Sequence, residues 1–323
     1  MKRFVKSVLP ASTWRALRSL KRVSLRTTRR SIEALGYNVA RKSDFYSPLP
    51  SESGLVRTVS RWNRPSALAG VSYDIDRYKH RLRELTLRYW DEFEALPPYT
   101  ETAMAGFGPG YTEFDALVLY ATIRDLKPAR YFEVGSGVST FYCSVAASRN
   151  ADEGRPVQIR CIEPSPLEQL HMLPGVEILS RQVQDLSPEM FLELHDGDVL
   201  FIDSTHVLRI DGDVSFLVLE VLPRLRKGVA IHVHDVPFPY NIPYPAEHWV
   251  LGKTHRAPDW PMYWNEAMVL QAFLAFNNAF EIEISAPLIR YHDEAFLSAT
   301  VPLYQSVAEE PNTLSSIWLR KIA

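Results

Sequence analysis

Residues 130–142 read RYFEVGSGVSTFY and give the clearest indication of the fold. A run with β-strand character, Arg130 to Val134, leads into a turn with two glycines and then into a segment with helical character. Gly135 and Gly137 let the backbone turn sharply and approach a ligand, because glycine has no Cβ. A strand, a glycine turn and a helix in this order are typical of a nucleotide-type site, in which the helix N-terminus faces the ligand.

Apolar runs of strand length recur along the chain, with helical segments between them, such as VSFLVLEVLPRLR (214–226). This alternation is typical of a parallel sheet covered by helices on both faces. We therefore predict an α/β fold with a doubly wound, mostly parallel, seven-stranded sheet and an N-terminal helical extension. After RYFEV the predicted strands are VQIRCIE (157–163), VEILSR (176–181), DVLFID (198–203), GVAIHVHD (228–235), FEIEIS (280–285) and FLSATVPLY (296–304).

Three regions are predicted along the 323 residues. Residues 1–45 are a basic amphipathic tail, residues 46–110 are a linker and a helical cap, and residues 111–323 are the domain that contains the sheet. Residues 1–42 hold twelve Lys or Arg and one acid, Glu33, which leaves 24 bases and 37 acids, a formal charge of −13, in the rest. An acidic body repels phosphate, so we expect no nucleic-acid partner.

The basic tail has three interpretations. Its segment RALRSLKRVSLRTTRRSIEAL (15–35) has the spacing of an amphipathic helix suited to an anionic membrane surface, and the alternatives are a solvated tail and a targeting segment. No run approaches the ~20 apolar residues that a membrane-spanning helix needs. The two cysteines, Cys143 and Cys161, form no metal-type pair and favour a reducing compartment. We expect a cytoplasmic protein, with peripheral contact to the inner face of a membrane as one option.

Polar side chains stand where the predicted strands end, which is where an open α/β sheet builds its ligand site. Glu133 ends the first strand, and Glu163 ends the second, placed to accept both hydroxyls of a ribose. Gln184 and Asp185 follow the third strand, where an amide or a carboxylate can accept from an adenine amino group. Asp203 ends the fourth strand. Acids in register at four strand ends indicate a cofactor site rather than isolated helix caps.

These motifs resemble those of a known family. RYFEVGSGVSTFY resembles the first motif of class I S-adenosylmethionine-dependent methyltransferases, and IRCIEPSP (159–166) resembles their second. VLFIDSTHV (199–207) and LPRLRKGVAIHVHDV (222–236) resemble their fourth and fifth strand motifs. Within that superfamily the chain is most similar to small-molecule O-methyltransferases that modify sugars and natural products. The resemblance runs from about Tyr111 to the C-terminus, so residues 111–323 are the expected methyltransferase domain.

The resemblance implies S-adenosylmethionine as the cofactor, with the glycine turn near its methionine part and Glu133 near its amino group. Ser136 lies between the two glycines. Thr140 stands where a dinucleotide enzyme has its third glycine, which counts against an NAD-dependent oxidoreductase. The predicted cofactor-binding residues are Glu133, Gly135, Ser136, Gly137, Glu163, Gln184, Asp185 and Asp203.

Methyl transfer from a sulfonium is an in-line displacement, and a hydroxyl acceptor also needs a base or a metal. The predicted catalytic residues are His206, after the fourth strand, and His234 and Asp235, at the end of the fifth. In catechol-type O-methyltransferases an Asp after strand 4 and an Asp-Asn pair after strand 5 hold a divalent metal, and these positions align with Asp203, His234 and Asp235. We predict Mg or Mn bound by Asp203 and Asp235, with His206 or His234 as general base in the metal-free alternative.

The predicted acceptor is a sugar, a glycan precursor or another small molecule. Two other functions remain open from the sequence: an NAD-dependent oxidoreductase on the same type of fold, and a non-catalytic membrane-surface scaffold that docks through its basic tail. The sequence indicates no particular oligomeric state. Aromatic and polar side chains of the sort that stack on sugars or planar acceptors follow the fifth strand, namely Tyr240, Tyr244, His248, Trp249 and the tripeptide Trp264-Asn265-Glu266.

Overall fold

The computed structural model describes residues 23, 25–37, 45–108, 110–251, 262–306 and 315–323. The chain divides into two compact units, residues 1–59 and residues 60–323. The second unit contains the sheet and every predicted site residue. The predicted boundary between residues 110 and 111 lies inside this unit.

A seven-stranded mixed sheet forms the centre of the second unit. Its strands are β1 (Arg130–Val134), β2 (Gln158–Ile162), β3 (Val176–Leu179), β4 (Val199–Ile202), β5 (Ala230–Val233), β6 (Phe280–Ser285) and β7 (Ile317–Lys321). Their order is β3-β2-β1-β4-β5-β7-β6, and β7 runs in the direction opposite to the other six strands. The predicted doubly wound, mostly parallel sheet is confirmed. The winding direction reverses between β1 and β4, and ligands bind such sheets at this reversal.

Packed helices flank the sheet. The longer ones are α1 (Ile75–Glu94), α2 (Glu113–Leu126), α3 (Val138–Asp152), α4 (Glu266–Leu274) and α5 (Ala286–Thr300). Short helical segments span Glu52–Arg57, Val59–Trp62, Tyr99–Thr102, Ala103–Phe107, Glu168–Met172, Val183–Asp185, Pro188–Glu193 and Ala246–Trp249. α2 packs between α1 and α3, and α1 also packs against α5. This contact explains why most of α2 is buried although its sequence carries acidic residues at its start.

An ionic network joins α1, α2 and α3. Buried Arg124 donates from Nε to Oε2 of Glu92 over 2.9 Å and from Nη2 to Oε1 of Glu153 over 2.5 Å. Lys127 also donates to Glu153, over 2.6 Å. The hydrogen bond from Arg124, followed by that from Lys127, lowers the pKa of Glu153 to about 2. Because an unpaired buried charge is costly, the network lets a guanidinium sit inside the helical layer.

The last predicted strand, FLSATVPLY (296–304), is wrong. Phe296 and Leu297 lie buried on α5, whose N-cap is Ser285, and the seventh strand is instead β7 at the C-terminus. An apolar pair beside polar residues fits a helix as well as a strand, so the local pattern does not separate the two. β7 inserts between β5 and β6, a pairing between distant segments that local sequence does not reveal.

The predicted helix at residues 214–226 forms in three shorter pieces. These are Asp213–Phe216, a π-helical segment Leu217–Val221 and a 3-10 turn Leu222–Arg224. Pro223 lacks a backbone N–H and its ring clashes with the carbonyl group four residues earlier, which disfavours a continuous α-helix through the end of this segment.

The first unit contains part of the predicted amphipathic tail. Residues 25–33 are helical and mostly exposed, whereas residues 15–22 and 24 lie outside the described residues. Within the described part of the chain, no helix has both the length and the apolar character needed to cross a membrane.

Candidate active site

The turn between β1 and α3 requires glycine at two positions. Gly135 has φ +90°, in the left-handed region, and a Cβ there would lie 2.5 Å from the backbone oxygen of Asp203. A Cβ on Gly137 would lie 2.9 Å from the backbone oxygen of Phe107. Both distances are too short for a real Cβ, so these positions exclude a side chain. The turn is therefore enclosed by the chain after β4 on one side and by the segment before α2 on the other.

Glu133 lies beneath this turn and is fully buried. The hydroxyl of Ser139 donates to its Oε1 over 2.5 Å, and the thiol of Cys161 lies 3.6 Å from its Oε2. Burial raises the pKa of Glu133 to about 8, although the hydrogen bonds from Ser139 and Thr140 oppose this effect. Ser136, in the turn itself, has a buried Oγ with no hydrogen-bond partner among the described residues. A polar ligand at the turn would give that hydroxyl a partner.

A cavity of about 290 Å³ opens beside the turn, at the carboxyl ends of β1, β2 and β4. Glu163 lines it, and its Oε1 accepts from the backbone N–H of Ser165 over 2.8 Å. Gln184 also lines it and donates to the side chain of Gln182 over 2.7 Å. Asp185 is exposed and does not line the cavity. The remaining lining residues are Val134, Gly135, Ile162, Pro164, Val183, Asp203, Ser204, Thr205, Arg209 and Asp213.

Two carboxylates and two histidines meet next to this cavity, after β4 and β5. Nε2 of His206 lies 3.3 Å from Oδ1 of Asp203 and 3.4 Å from Oδ2 of Asp235. Nδ1 of His234 lies 3.4 Å from Oδ1 of Asp203 and 3.6 Å from Oδ2 of Asp235. The structure thus brings together all of the predicted catalytic and metal-binding residues.

The groups of this cluster shift one another's pKa. Burial would raise the pKa of Asp203, but His234 and His206 outweigh it and hold that pKa well below its usual range. Burial would lower the pKa of His206, but Asp203, Glu266 and Asp235 hold it well above its usual value. His234 has its pKa raised to about 9 by Asp235 and Asp203, against the effect of burial.

His232 has a different environment from its neighbour His234. Its ring stacks on Phe201 with the centroids 4.2 Å apart, and its Nε2 lies 3.3 Å from the hydroxyl of Tyr111. Burial, followed by the charge of His234, holds the pKa of His232 well below its usual value. His232 is therefore a neutral core residue beneath the cluster.

The donor atoms of the cluster suit a divalent cation. Asp203, His206 and Asp235 offer two carboxylates and one imidazole nitrogen within 4.8 Å of one another. Carboxylate oxygens suit Mg²⁺ and Mn²⁺, and an imidazole ligand moves the preference toward Mn²⁺ and later transition metals. His234 adds a buried Nε2 with no hydrogen-bond partner among the described residues.

Residues 132–236 match the family model described as a methyltransferase domain. This part of the chain is a methyltransferase domain. The match runs from β1 to the residue after Asp235, so it contains the glycine turn, Glu163 and the cluster at the ends of β4 and β5. The assignment of the chain to the methyltransferases, which the motifs indicated, is confirmed.

Several solved structures resemble this chain. One is the O-methyltransferase TomG from Streptomyces achromogenes, involved in tomaymycin synthesis and solved with S-adenosylmethionine, with 15% identity over 78% of this chain and 92% of that chain and a TM-score of 0.41. Another is an O-methyltransferase from Bacillus cereus solved with S-adenosylhomocysteine, with 13% identity over 77% of this chain and 100% of that chain and a TM-score of 0.42. No curated protein sequence matches the chain.

Two polar contacts of the site come from segments outside the matched methyltransferase domain. Glu266, the first residue of α4, accepts from Nδ1 of His206 over 2.9 Å. Ser315, just before β7, donates from Oγ to Oδ1 of Asp235 over 2.7 Å. From the sequence, Glu266 was predicted only as one polar residue near the acceptor side, and Ser315 was not predicted at the site. No local pattern links either residue to its partner, because each contact joins distant parts of the chain.

Aromatic side chains lie beyond β5, where the sequence predicted the acceptor side. Tyr240 and Tyr244 stack with their ring centroids 4.1 Å apart. The ring centroids of Trp264 and His206 lie 4.3 Å apart, so this tryptophan borders the carboxylate and histidine cluster directly. Among the described residues of the predicted aromatic set, Trp264 contacts the cluster directly.

Proposed function

We propose that this protein transfers a methyl group from S-adenosylmethionine to an oxygen of a small molecule such as a sugar or a glycan precursor. The observation that carries the proposal is the adjacency of two features at the reversal of the sheet. The cavity beside Gly135 and Glu163 borders the carboxylate and histidine cluster, and Asp203 belongs to both. A methyl donor in the cavity would have its reactive group next to groups that handle an acceptor hydroxyl.

The glycine turn and the cavity would bind different parts of the cofactor. The turn, with the free hydroxyl of Ser136, would receive the methionine part, and Glu133 would support the turn from below. Glu163 would accept from the ribose hydroxyls, and Gln184 lies on the side where adenine would bind. Asp185 stays a predicted adenine contact that would need a rearrangement of its exposed side chain.

The chemistry is an in-line displacement, which depends mainly on the alignment of the acceptor oxygen with the methyl carbon. Asp203 and Asp235, with a histidine of the cluster, would hold Mg or Mn. Such an ion supplies Lewis-acid stabilisation of the negative charge that develops on the acceptor oxygen. The chain's own residues orient the acceptor, exclude water and receive the acceptor's proton, for which the metal-free candidates are His206 and His234.

The acceptor class is inferred from the charge and the aromatic residues of the acceptor side. The acidic body disfavours polyanions such as nucleic acid. Trp264 and the stacked pair Tyr240 and Tyr244 offer flat apolar surfaces of the kind that pack on sugar rings and planar acceptors.

We also propose a cytoplasmic location with peripheral contact to an anionic membrane surface. Cys143 and Cys161 are buried and unpaired, which suits a reducing compartment. Residues 1–42 carry a strong positive charge, and the described helix at residues 25–33 is exposed. Peripheral binding of this kind is reversible and depends on charge.

Calorimetry with S-adenosylmethionine and S-adenosylhomocysteine tests the cofactor half of the proposal. We expect both to bind the wild type, and we expect Glu163→Ala to weaken binding about tenfold or more, because a bidentate contact to the ribose is lost. The control is Glu168→Ala, an exposed glutamate five positions later in the chain that does not line the cavity. No binding by the wild type, or equal affinities for the two variants, would contradict the proposal.

The transfer half is tested with labelled methyl donor and a panel of hydroxylated sugars and phenols, with and without a chelator. We expect labelled product from the wild type and a large loss with Asp235→Asn. The matched control is Asp211→Asn, because Asp211 shares the left-handed backbone conformation of Asp235 but is exposed on the loop. Activity that survives chelation would favour the metal-free alternative.

A further inference from the structure

The strongest feature that the proposed function leaves unused is the environment of His206. The tripeptide Trp264-Asn265-Glu266 contacts this residue from several directions, through both its backbone and its ring. Backbone N–H groups of Asn265 and Glu266 donate to the carbonyl oxygen of His206 over 2.9 and 3.1 Å. The ring of Trp264 lies against the imidazole. These contacts surround His206 at φ +59°, in the left-handed region that is uncommon for residues other than glycine.

The side-chain contact of Glu266 determines which ring nitrogen of His206 faces the cluster. Oε2 of Glu266 accepts from Nδ1 over 2.9 Å, which leaves Nε2 directed between Asp203 and Asp235. The hydroxyl of Ser204 donates to the same Oε2 over 2.9 Å, and that hydroxyl accepts from the backbone N–H of His206 over 3.0 Å. Both Glu266 and His206 are buried, so these partners are not exchanged for water.

We propose that Glu266 is a positioning residue, which orients His206 so that Nε2 completes a divalent-cation site with Asp203 and Asp235. A histidine that ligates a metal usually donates its other ring N–H to a carboxylate, which fixes the tautomer and the ring orientation. The Glu266–His206 contact has this form, and its carboxylate comes from α4, outside the matched methyltransferase domain. The inference rests on the proposed function, because it names a new contributor to the cation site of that reaction.

The geometry favours this positioning role over a purely structural role in which Glu266 only holds the loop after β4 in place. Other contacts already fix the loop after β4. The backbone N–H groups of Asn265 and Glu266 donate to His206, and Oδ1 of Asn265 accepts from the N–H of Leu208 over 2.6 Å. The carboxylate of Glu266 adds a contact to the imidazole ring of His206, and this contact is not needed to fix the loop. The free end of that ring faces two carboxylates whose oxygens are metal ligands by preference.

Mn²⁺ binding to the full-length protein, measured by electron paramagnetic resonance, tests the inference. We expect the wild type to bind Mn²⁺ and Glu266→Gln to bind it about tenfold to a hundredfold more weakly, the range for losing a carboxylate that supports a ligand. S-adenosylmethionine affinity, measured in parallel, should stay within about twofold of the wild type, because Glu266 does not line the cofactor cavity. The matched control is Glu283→Gln, which removes a glutamate paired with Arg320 on the sheet edge.

A double-mutant cycle separates positioning from a general structural effect. If Glu266 acts through His206, then Glu266→Gln should cause no further loss of Mn²⁺ affinity in a His206→Ala background. If Glu266→Gln does not fold, Ser204→Ala tests the inference instead, because it removes only the hydroxyl that donates to Oε2 of Glu266. We expect Ser204→Ala to bind Mn²⁺ more weakly than the wild type, by less than the tenfold expected for Glu266→Gln.

The outcomes distinguish the two proposals. A wild type that binds no S-adenosylmethionine overturns the proposed function. A wild type that binds S-adenosylmethionine but no Mn²⁺ overturns the positioning role and leaves methyl transfer standing. Unchanged Mn²⁺ affinity in Glu266→Gln, or additive losses in the double-mutant cycle, overturns the positioning role alone.

Discussion

At the scale of single residues, the site is built on backbone conformations that most side chains disfavour. Gly135, His206 and Asp235 have φ values of +90°, +59° and +55°. For residues other than glycine such conformations cost about 1–3 kcal/mol each and persist only where neighbouring contacts enforce them. The contacts of Glu266 to His206 and of Ser315 to Asp235 are contacts of this kind.

Replacing Gly135 tests how tightly the turn is enclosed. We expect Gly135→Ala to lower the free energy of unfolding by about 1–3 kcal/mol more than Gly154→Ala, because only the first adds a Cβ in contact with a backbone oxygen. Both glycines have positive φ, but a Cβ at Gly154 would meet nothing within 4 Å. Urea unfolding of both variants measures the difference, and equal losses would contradict the enclosure of the turn.

The sequence was informative about residues at strand ends and uninformative about their partners. Asp203 and Asp235 follow β4 and β5, and the ends of adjacent parallel strands must meet at one edge of the sheet, so their proximity was predictable. Glu266 lies 60 positions from His206, and Ser315 lies 80 positions from Asp235. Contacts over such separations depend on how later elements return to the sheet, which periodicity does not encode.

At the scale of elements, the first three helices are tied together by charge as well as by apolar packing. Arg124 on α2 reaches Glu92 on α1 and Glu153 at the end of α3. The network therefore links elements that precede and follow β1, and it makes their packing sensitive to acid.

The pKa of Glu153 gives a stability prediction. Its pKa falls from the usual value of 4.5 to about 2 in the folded protein, so its ion pairs stabilise the fold above pH 4.5 and this stabilisation is lost as the pH falls toward 2. We expect Glu153→Gln to lower the urea midpoint at pH 7 and the difference from the wild type to shrink steadily below pH 4.5.

The control for acid stability is Glu220→Gln, which removes one partner of an exposed pair with Arg224 within a single helical stretch. Pairs of this kind contribute little to stability. A difference between Glu153→Gln and the wild type that stays constant from pH 7 to pH 3 would show that the charge of Glu153 is not the cause.

Strand and helix types were predictable wherever the local pattern was unambiguous. β4 and β5 read as short apolar runs and are fully buried, as expected for the interior of a parallel sheet. β7 was not recognised as the seventh strand, although it begins with three apolar residues, because its place between β5 and β6 is a property of the completed sheet. The segment assigned to that strand instead completes α5, where Phe296 and Leu297 contribute to the core.

At the scale of the whole molecule, charge is distributed unevenly along the chain. The first 42 residues are strongly basic, and the remainder carries a formal charge of −13. An acidic body is repelled by an anionic membrane, so binding to such a surface would rely on the tail alone.

Flotation of the full-length protein with vesicles of phosphatidylglycerol and phosphatidylcholine tests this dependence. We expect binding that is lost in pure phosphatidylcholine and at high salt. The double variant Arg26→Gln and Arg30→Gln should weaken binding about thirtyfold, since each basic residue near the surface contributes about 1 kcal/mol. The control is the double variant Arg155→Gln and Arg181→Gln, at exposed residues of the acidic body, which should leave vesicle binding unchanged. Equal effects of the two double variants would contradict binding through the tail.

The contact between Gly135 and the backbone of Asp203 also limits how this enzyme could be redesigned. Gly135 lines the proposed cofactor cavity and Asp203 belongs to the proposed acceptor cluster, so under the proposed function a change on either side of this contact would disturb both. Libraries that aim for new acceptors should therefore keep residues 135 and 203 constant. Under the proposed function, we expect variation around the stacked pair Tyr240 and Tyr244 to change which acceptors react and to leave cofactor binding unchanged, because neither residue lines the cavity.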